Sequence, residues 1–342
     1  MAASNFRALE ATNRRETAVL VVAFMLLLGA LGLGLDIAAR DVAIVDGHFV
    51  GFPVLTIAAL VFAGVQSIVS YYSGASLVLL SVHATPLTPY TNQHQILLDV
   101  INEMATAARM PVPKVYLIDD PSPNAFATGR DPLHSVICVT QGLVEEMDRE
   151  ELQGVIGHEM SHIADYDIRT MMMIAVMVGG IAMLSDFVYR WMFFGGFGGR
   201  GRGSDNRDNQ VAALITLGVI VLAAVAPIFS QLLAMAVSRQ REYLADASSV
   251  EFTRNPRALL RALEHIAKIE SPLKQGTAGT GHLFIVNPRE GVREDNEGFF
   301  ANLFSSHPPL QKRIERLQGM LGAPGAATLA TEAARSSTSG SA

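Results

Sequence analysis

Hydrophobic positions in this chain form two kinds of run, long unbroken stretches and short periodic ones. Four are long: 17–35, 54–72, 170–188 and 211–237. Each is near the ~20 residues that cross a hydrocarbon core as a helix. Thr17 to Leu35 is uncharged, and no small-residue cleavage site follows before Asp36. This predicts a retained anchor helix rather than a cleaved signal peptide. Pro53 opens the second stretch, and Tyr71 and Tyr72 stand where an aromatic belt would lie. The third carries Asp186 near its end, and Pro227 predicts a kink in the fourth.

The short runs predict a second kind of structure. Ile96, Leu97, Val100, Ile101, Met104 and Ala108 recur at helical spacing. Val115 to Ile118 and Ser135 to Thr140 are β-branched runs bounded by Pro and Asp, hence strands, and Ala125 to Thr128 is a third candidate closed by Gly129. Asp148 with Glu151 reads as a helix start, followed by Leu152, Ile156, Met160 and Ile163 on one face. Gly154 and Gly157 cost helix propensity and predict close approach of a chain or ligand, or tight helix packing. Asn255 followed by Pro256 starts another helix, with Leu259, Leu260, Leu263 and Ile266 as its apolar face. Pro309 opens a last one through Ile314 and Leu317. Residues 271–305 predict a surface segment with one apolar run, Leu283 to Val286. Residues 321–342, rich in Ala, Gly, Ser and Thr, predict a disordered tail.

These elements predict an α+β fold. A small domain, with an active-site helix beside a short sheet, carries about four transmembrane or membrane-embedded helices. Residues 1–80 form a membrane hairpin, 81–167 the first part of the domain, 168–237 a second hairpin and 238–320 the second part.

Composition agrees. Half of the 342 residues are hydrophobic and 17% are charged, against about a quarter in a soluble domain. A net charge of −6 argues against a nucleic-acid partner. The single cysteine, Cys138, lies in an apolar run and reads as a buried, inert thiol. Arg7, Arg14 and Arg15 precede the first stretch, whereas Arg40 faces Asp36, Asp41 and Asp46 in the loop after it. The positive-inside rule then puts the N-terminus and the domain from residue 81 on the cytoplasmic side. The 189–210 loop strains this rule with Arg190, Arg200, Arg202 and Arg207, so a partly embedded second hairpin stays open as an alternative.

The chemistry concentrates in residues 158–162, His-Glu-Met-Ser-His. On a helix, His158 and His162 project from one face, away from the apolar one. Two imidazoles so placed can hold one Zn²⁺, with Glu159 as general base toward an attacking water. A third ligand is needed. Residues 239–246, Arg-Gln-Arg-Glu-Tyr-Leu-Ala-Asp, place Glu242 and Asp246 four apart. Glu242 suits the third ligand position, and Asp246 suits the carboxylate that a ligating imidazole usually bonds. Taken singly, each motif has a plainer reading: two surface histidines, and a salt-bridged helix face. Together they favour a hydrolytic zinc site with one Zn²⁺ per chain.

Four separated motifs resemble the HtpX-type membrane zinc metalloproteases, relatives of the CAAX prenyl proteases within the gluzincins. They are 158–162, 242–246, Ser-Pro-Asn-Ala-Phe-Ala-Thr-Gly at 122–129 and Ser-His-Pro-Pro-Leu-Gln-Lys-Arg-Ile at 306–314. The resemblance implies an endopeptidase of the bacterial inner membrane, acting on polypeptide substrates that are misfolded or damaged membrane proteins. A narrow processing peptidase of the CAAX type, or a metal-binding scaffold without catalysis, are the alternatives. The intact Glu159 argues against the scaffold, and only four apolar stretches argue against the CAAX type. The developing oxyanion needs a donor besides the metal, and His307, fixed by two following prolines, is the candidate. Asn124 and Ala125 resemble the strand with which thermolysin-like enzymes pair substrate backbone. Ser-Pro-Asn is also ordinary turn chemistry.

Overall fold

The computed structural model describes residues 3–39, 42–45, 48–190, 239–268, 283–285 and 310–322. Its elements are α1 (Ala3–Ala39), β1 (Val42–Val45), β2 (His48–Gly51), α2 (Val54–Ser81), β3 (Thr85–Pro86), α3 (Asn92–Ala107), β4 (Lys114–Ile118), β5 (Ala125–Gly129), β6 (Ser135–Thr140), α4 (Gln141–Glu146), α5 (Arg149–Ala164), α6 (Asp167–Arg190), α7 (Arg239–Thr253), α8 (Pro256–Lys268) and α9 (Leu310–Gly322).

Two helices among the described residues are long and apolar enough to cross a membrane, over Thr17–Gly34 and Val54–Ser81. Leu60, Phe62, Val65 and Ile68 of α2 are exposed, as a lipid-facing surface requires. Pro53 supplies no side-chain cap to α2. Asp36 does so from α1, accepting from the Leu55 and Thr56 N–H groups at 2.8 Å each and from Thr56 Oγ1 at 2.6 Å. The N-terminal dipole of one helix is thus closed by the last turn of the other. The connection between them is an antiparallel β1–β2 pair, not a plain loop. Asp46-Gly47 between two apolar runs is the hairpin signal that reading by length alone passes over. The third apolar stretch lies in α6, packed through Met172, Met173 and Met177 against Phe24, Leu28 and Ala63. The fourth stretch, 211–237, lies outside the described residues.

The main sheet has the order β3-β4-β6-β5. β4 and β6 run parallel, while β3 and β5 are antiparallel to their neighbours. Side chains alternate between two cores. Ile118, Phe126, Val136 and Cys138 face Val78, Leu79 and Val82 at the end of α2, and Met171 of α6. Ala125, Ala127, Ile137 and Val139 face the helices α3, α5, α8 and α9. Burial pushes the Cys138 thiol well up, as an inert cysteine requires. Gly129, at φ +141°, makes the tight β5–β6 turn, where a Cβ would meet the His134 carbonyl oxygen at 2.3 Å.

The helix starts follow the sequence signals. Asp148 and Glu151 form a reciprocal capping box on α5. Asn255 Oδ1 accepts from the Arg257 N–H at the start of α8. α9 buries Ile314 and Leu317. One expectation changes: Leu283, Phe284 and Ile285 are buried, so the apolar run of the 271–305 segment belongs to the core and not to the surface. Leu321 and Gly322, expected in the tail, complete α9, and residues 323–342 lie outside the described residues.

Candidate metal centre and active site

α5 is buried almost all round from Leu152 to Ala164, so its histidine side faces an interior and not solvent. What covers it is α7. A Cβ on Gly154 would meet the Leu259 backbone nitrogen of α8 at 2.3 Å, and one on Gly157 would meet Ser249 Oγ of α7 at 3.0 Å. Ser249 Oγ donates to the Gly154 carbonyl at 2.7 Å. The two glycines of α5 therefore admit neighbouring helices, and that approach brings Glu242 to the histidines.

His158 Nε2 and His162 Nε2 lie 3.2 Å apart. Glu242 Oε2 is 3.5 Å from the first and Oε1 3.5 Å from the second. All three side chains are buried. A tetrahedral ion with bonds near 2.0–2.1 Å sets its ligand atoms about 3.3 Å apart. The imidazole pair matches one edge of such a tetrahedron, each ring faces its own Glu242 oxygen, and two imidazoles with one carboxylate are the donor set of a hydrolytic zinc centre.

Each imidazole turns its outer nitrogen to a different carboxylate. His158 Nδ1 is 3.0 Å from Asp246 Oδ1. His162 Nδ1 is 3.3 Å from Asp167 Oδ2. Asp246 was legible from its spacing to Glu242, whereas Asp167 was missed. It lies beyond the end of α5, and no helical spacing links it to His162. Arg313 was also missed. It is wholly buried, donates to Asp246 through Nε at 3.0 Å and Nη2 at 2.6 Å, and stands 3.5 Å from Glu242 Oε2. Its signal was present. Leu310, Arg313, Ile314 and Leu317 follow i, i+3, i+4, i+7, so Arg313 holds a place in an apolar stripe.

Glu159 is buried one position beyond His158. Burial holds its carboxyl above the usual carboxylate range, against the pull of both imidazoles and a hydrogen bond from the Ala127 N–H of β5. Burial alone would lower the His162 imidazole, but the Asp167 hydrogen bond and the Glu242 carboxylate lift it to about 9. Among the described residues, Glu159, Glu242, Asp246 and Asp167 stand around the rings, and Arg313 and Arg241 pair with these carboxylates.

Asn124 and Ala125 lie at the start of the edge strand β5, both buried. Asn124 N–H donates to Thr140 Oγ1 at 2.8 Å, and its carbonyl accepts from Thr140 N–H at 3.0 Å. Ala125 N–H donates to Asn124 Oδ1 at 3.0 Å, and its carbonyl accepts from Ile285 N–H at 3.0 Å. Phe284 meets Phe126 edge-on, with ring centroids 4.9 Å apart. A segment of the chain itself thus lies along this edge. His307 lies outside the described residues.

The chain is similar to known proteins over most of its length. The profile of Peptidase family M48 matches residues 91–321, a span that contains α5, α7 and α9. A Protease HtpX homolog of Lactobacillus acidophilus is 38% identical over 312 residues, covering 91% of this chain and 98% of that protein. One from Caldanaerobacter subterraneus is 39% identical over 316 residues, covering 91% and 97%. One from Thermococcus sibiricus is 42% identical over 274 residues, covering 80% and 89%. The crystal structure of S. mikatae Ste24p superposes with a TM-score of 0.45 at 19% identity, covering 91% of this chain and 66% of that one. On the family match and on relatives aligned over nearly its whole length, the chain belongs to Peptidase family M48, among the HtpX-like membrane metalloproteases.

Proposed function

We propose that this chain is a zinc-dependent endopeptidase that acts on misfolded or damaged membrane proteins at the cytoplasmic face of a bacterial inner membrane. The observation that carries the proposal is the buried His158–His162–Glu242 cluster, whose three donor atoms lie within 4.8 Å of one another. These three residues hold one Zn²⁺. Zinc bound there supplies Lewis-acid chemistry, acidifying a water and polarising the scissile carbonyl.

The remaining work falls to side chains of the chain. A Glu159 carboxylate oxygen takes the proton of the attacking water and delivers it to the leaving amine nitrogen. Asp246 fixes His158 through Nδ1, so that Nε2 faces the cluster. His307 serves as the oxyanion donor. Substrate backbone pairs along the Asn124–Ala125 end of β5, where it competes with Ile285 for the Ala125 carbonyl. The exposed apolar flank of α2 and the Arg7, Arg14 and Arg15 cluster support anchorage with this domain in the cytoplasm.

The test is Glu159→Gln. The variant is expected to retain zinc by metal analysis and to lose about 10²–10⁴-fold in cleavage of an unfolded substrate such as casein. Cleavage at the wild-type rate would remove Glu159 from the reaction. Cleavage of a farnesylated peptide but not of casein would replace the quality-control reading by a processing one.

A further inference from the structure

Helix α1 does more than cross the membrane. Asn13, near its N-terminal end, is buried, 4% exposed. Its Nδ2 donates to the Asp165 carbonyl, and to Asp167 Oδ1 at 3.0 Å. Both amide hydrogens are thereby directed at the turn that leaves the active-site helix. Asp167 Oδ1 also accepts from Arg241 Nη1 at 3.2 Å, while Oδ2 faces His162 Nδ1 at 3.3 Å. A carboxylate can rotate about its last bond. Held at Oδ1 from two sides, this one keeps Oδ2 turned toward the imidazole.

We propose that Asn13 is a positioning residue for His162: the amide of a membrane helix sets the Asp167 carboxylate, which sets the ring. The inference rests on the zinc reading of the cluster. Joining α1 to α6 does not require this amide. Thr17 Oγ1 already shares a hydrogen bond with Thr170 Oγ1 at 3.1 Å, and Phe24 and Leu28 pack on Met172, Met173 and Met177. Asn13 adds a link from the anchor to a metal ligand 149 positions along the chain. Carboxylates that orient a ligating imidazole change metal affinity by about 10–100-fold. One bond further out, the low end of that range applies. Coupling is reciprocal, so a bound metal also tightens the contact of α1 with the domain.

The experiment uses the full chain in detergent. Zinc affinity is read by competition with a chelator, and ligand geometry by the visible spectrum of the Co²⁺-loaded protein. Asn13→Leu is expected to weaken zinc about tenfold and to change the cobalt spectrum. Thr17→Val, at the same helix contact, is expected to change affinity less than about twofold. Asn13→Leu added to Asp167→Asn is expected to cost nothing further, since the amide acts through that carboxylate. Wild-type zinc affinity and spectrum in Asn13→Leu overturn the proposal, even if activity falls. So does a double variant that is weaker than Asp167→Asn alone. If Asn13→Leu does not fold, Asn13→Asp replaces it: the shape is kept, an acceptor faces Asp167, and unchanged zinc affinity again overturns the proposal. A wild-type chain that takes up no zinc overturns the zinc reading itself, a result distinct from an unchanged variant.

Discussion

The two flanks of the His158–His162–Glu242 cluster solve one problem with different strength. On the His158 flank, Asp246 is gripped by Arg313 through two nitrogens, at 3.0 and 2.6 Å, inside the core between α7 and α9. On the His162 flank, Asp167 meets Arg241 through one nitrogen at 3.2 Å and is completed by Asn13 of the membrane helix. The consequence appears in the guanidinium groups. Burial alone would loosen the Arg313 proton, but Asp246 and Glu242 more than offset it and hold the group above its ordinary value. Burial lowers the Arg241 guanidinium to about 10. A buried cation held through several well-aligned hydrogen bonds to a carboxylate resists that lowering. The core flank is saturated with charge. The membrane flank relies on an amide brought in from another helix.

The largest effect should come from removing the cations. Arg313→Leu leaves Asp246 buried without its guanidinium partner and removes the donor, at 3.2 Å, that holds the Ile285 carbonyl. Breaking one side of a buried pair costs about 3–5 kcal/mol. Arg241→Leu, at a flank where the cation is 14% exposed, should cost about 1–3 kcal/mol. Denaturant melts of the two variants check the order, and equal losses would erase the contrast between the flanks.

The carboxylates come next, because their removal acts on the metal more than on the fold. Asp246→Asn and Asp167→Asn should each weaken zinc by about 10–100-fold, with the larger loss at Asp246. Chelator competition on the two proteins decides it. A larger loss at Asp167 would make the membrane side the principal orienting side.

The asymmetry also marks what could be read from residues alone. Everything carried by local periodicity was legible: the capping box of Asp148 and Glu151, the strand 135–140, the helix from Pro256, and the two anchor helices. So was the set His158, His162, Glu242 and Asp246, because each pair sits at i and i+4 on its own helix. Asp167 was not, since it lies beyond the end of α5 and off its helical spacing, and Asn13 was not, since its role arises only when α1 is laid on α6. Arg313 was legible in principle as a charge in an apolar stripe. The burial of Leu283 to Ile285 against β5 depends on a pairing of strand edge and distant segment, to which hydropathy is blind.

The smallest effect tests whether the flanks, rather than the helix between them, set metal affinity. Asp148 caps α5 ten residues before His158, through Oδ1 to the Glu151 N–H at 2.9 Å. Asp148→Ala removes half of the capping box and should lower stability by about 1 kcal/mol. Its contact with Arg261 is at the surface and adds little. The rings of His158 and His162 are held from outside the helix, by Asp246 and Asp167, so zinc affinity of the folded protein should stay within about twofold of wild type. The same chelator competition at a temperature well below the melt reads this directly. Were zinc to weaken about tenfold, as expected for an orienting carboxylate, the start of α5 would be setting the ligand geometry, and the contrast between the two flanks would lose its meaning.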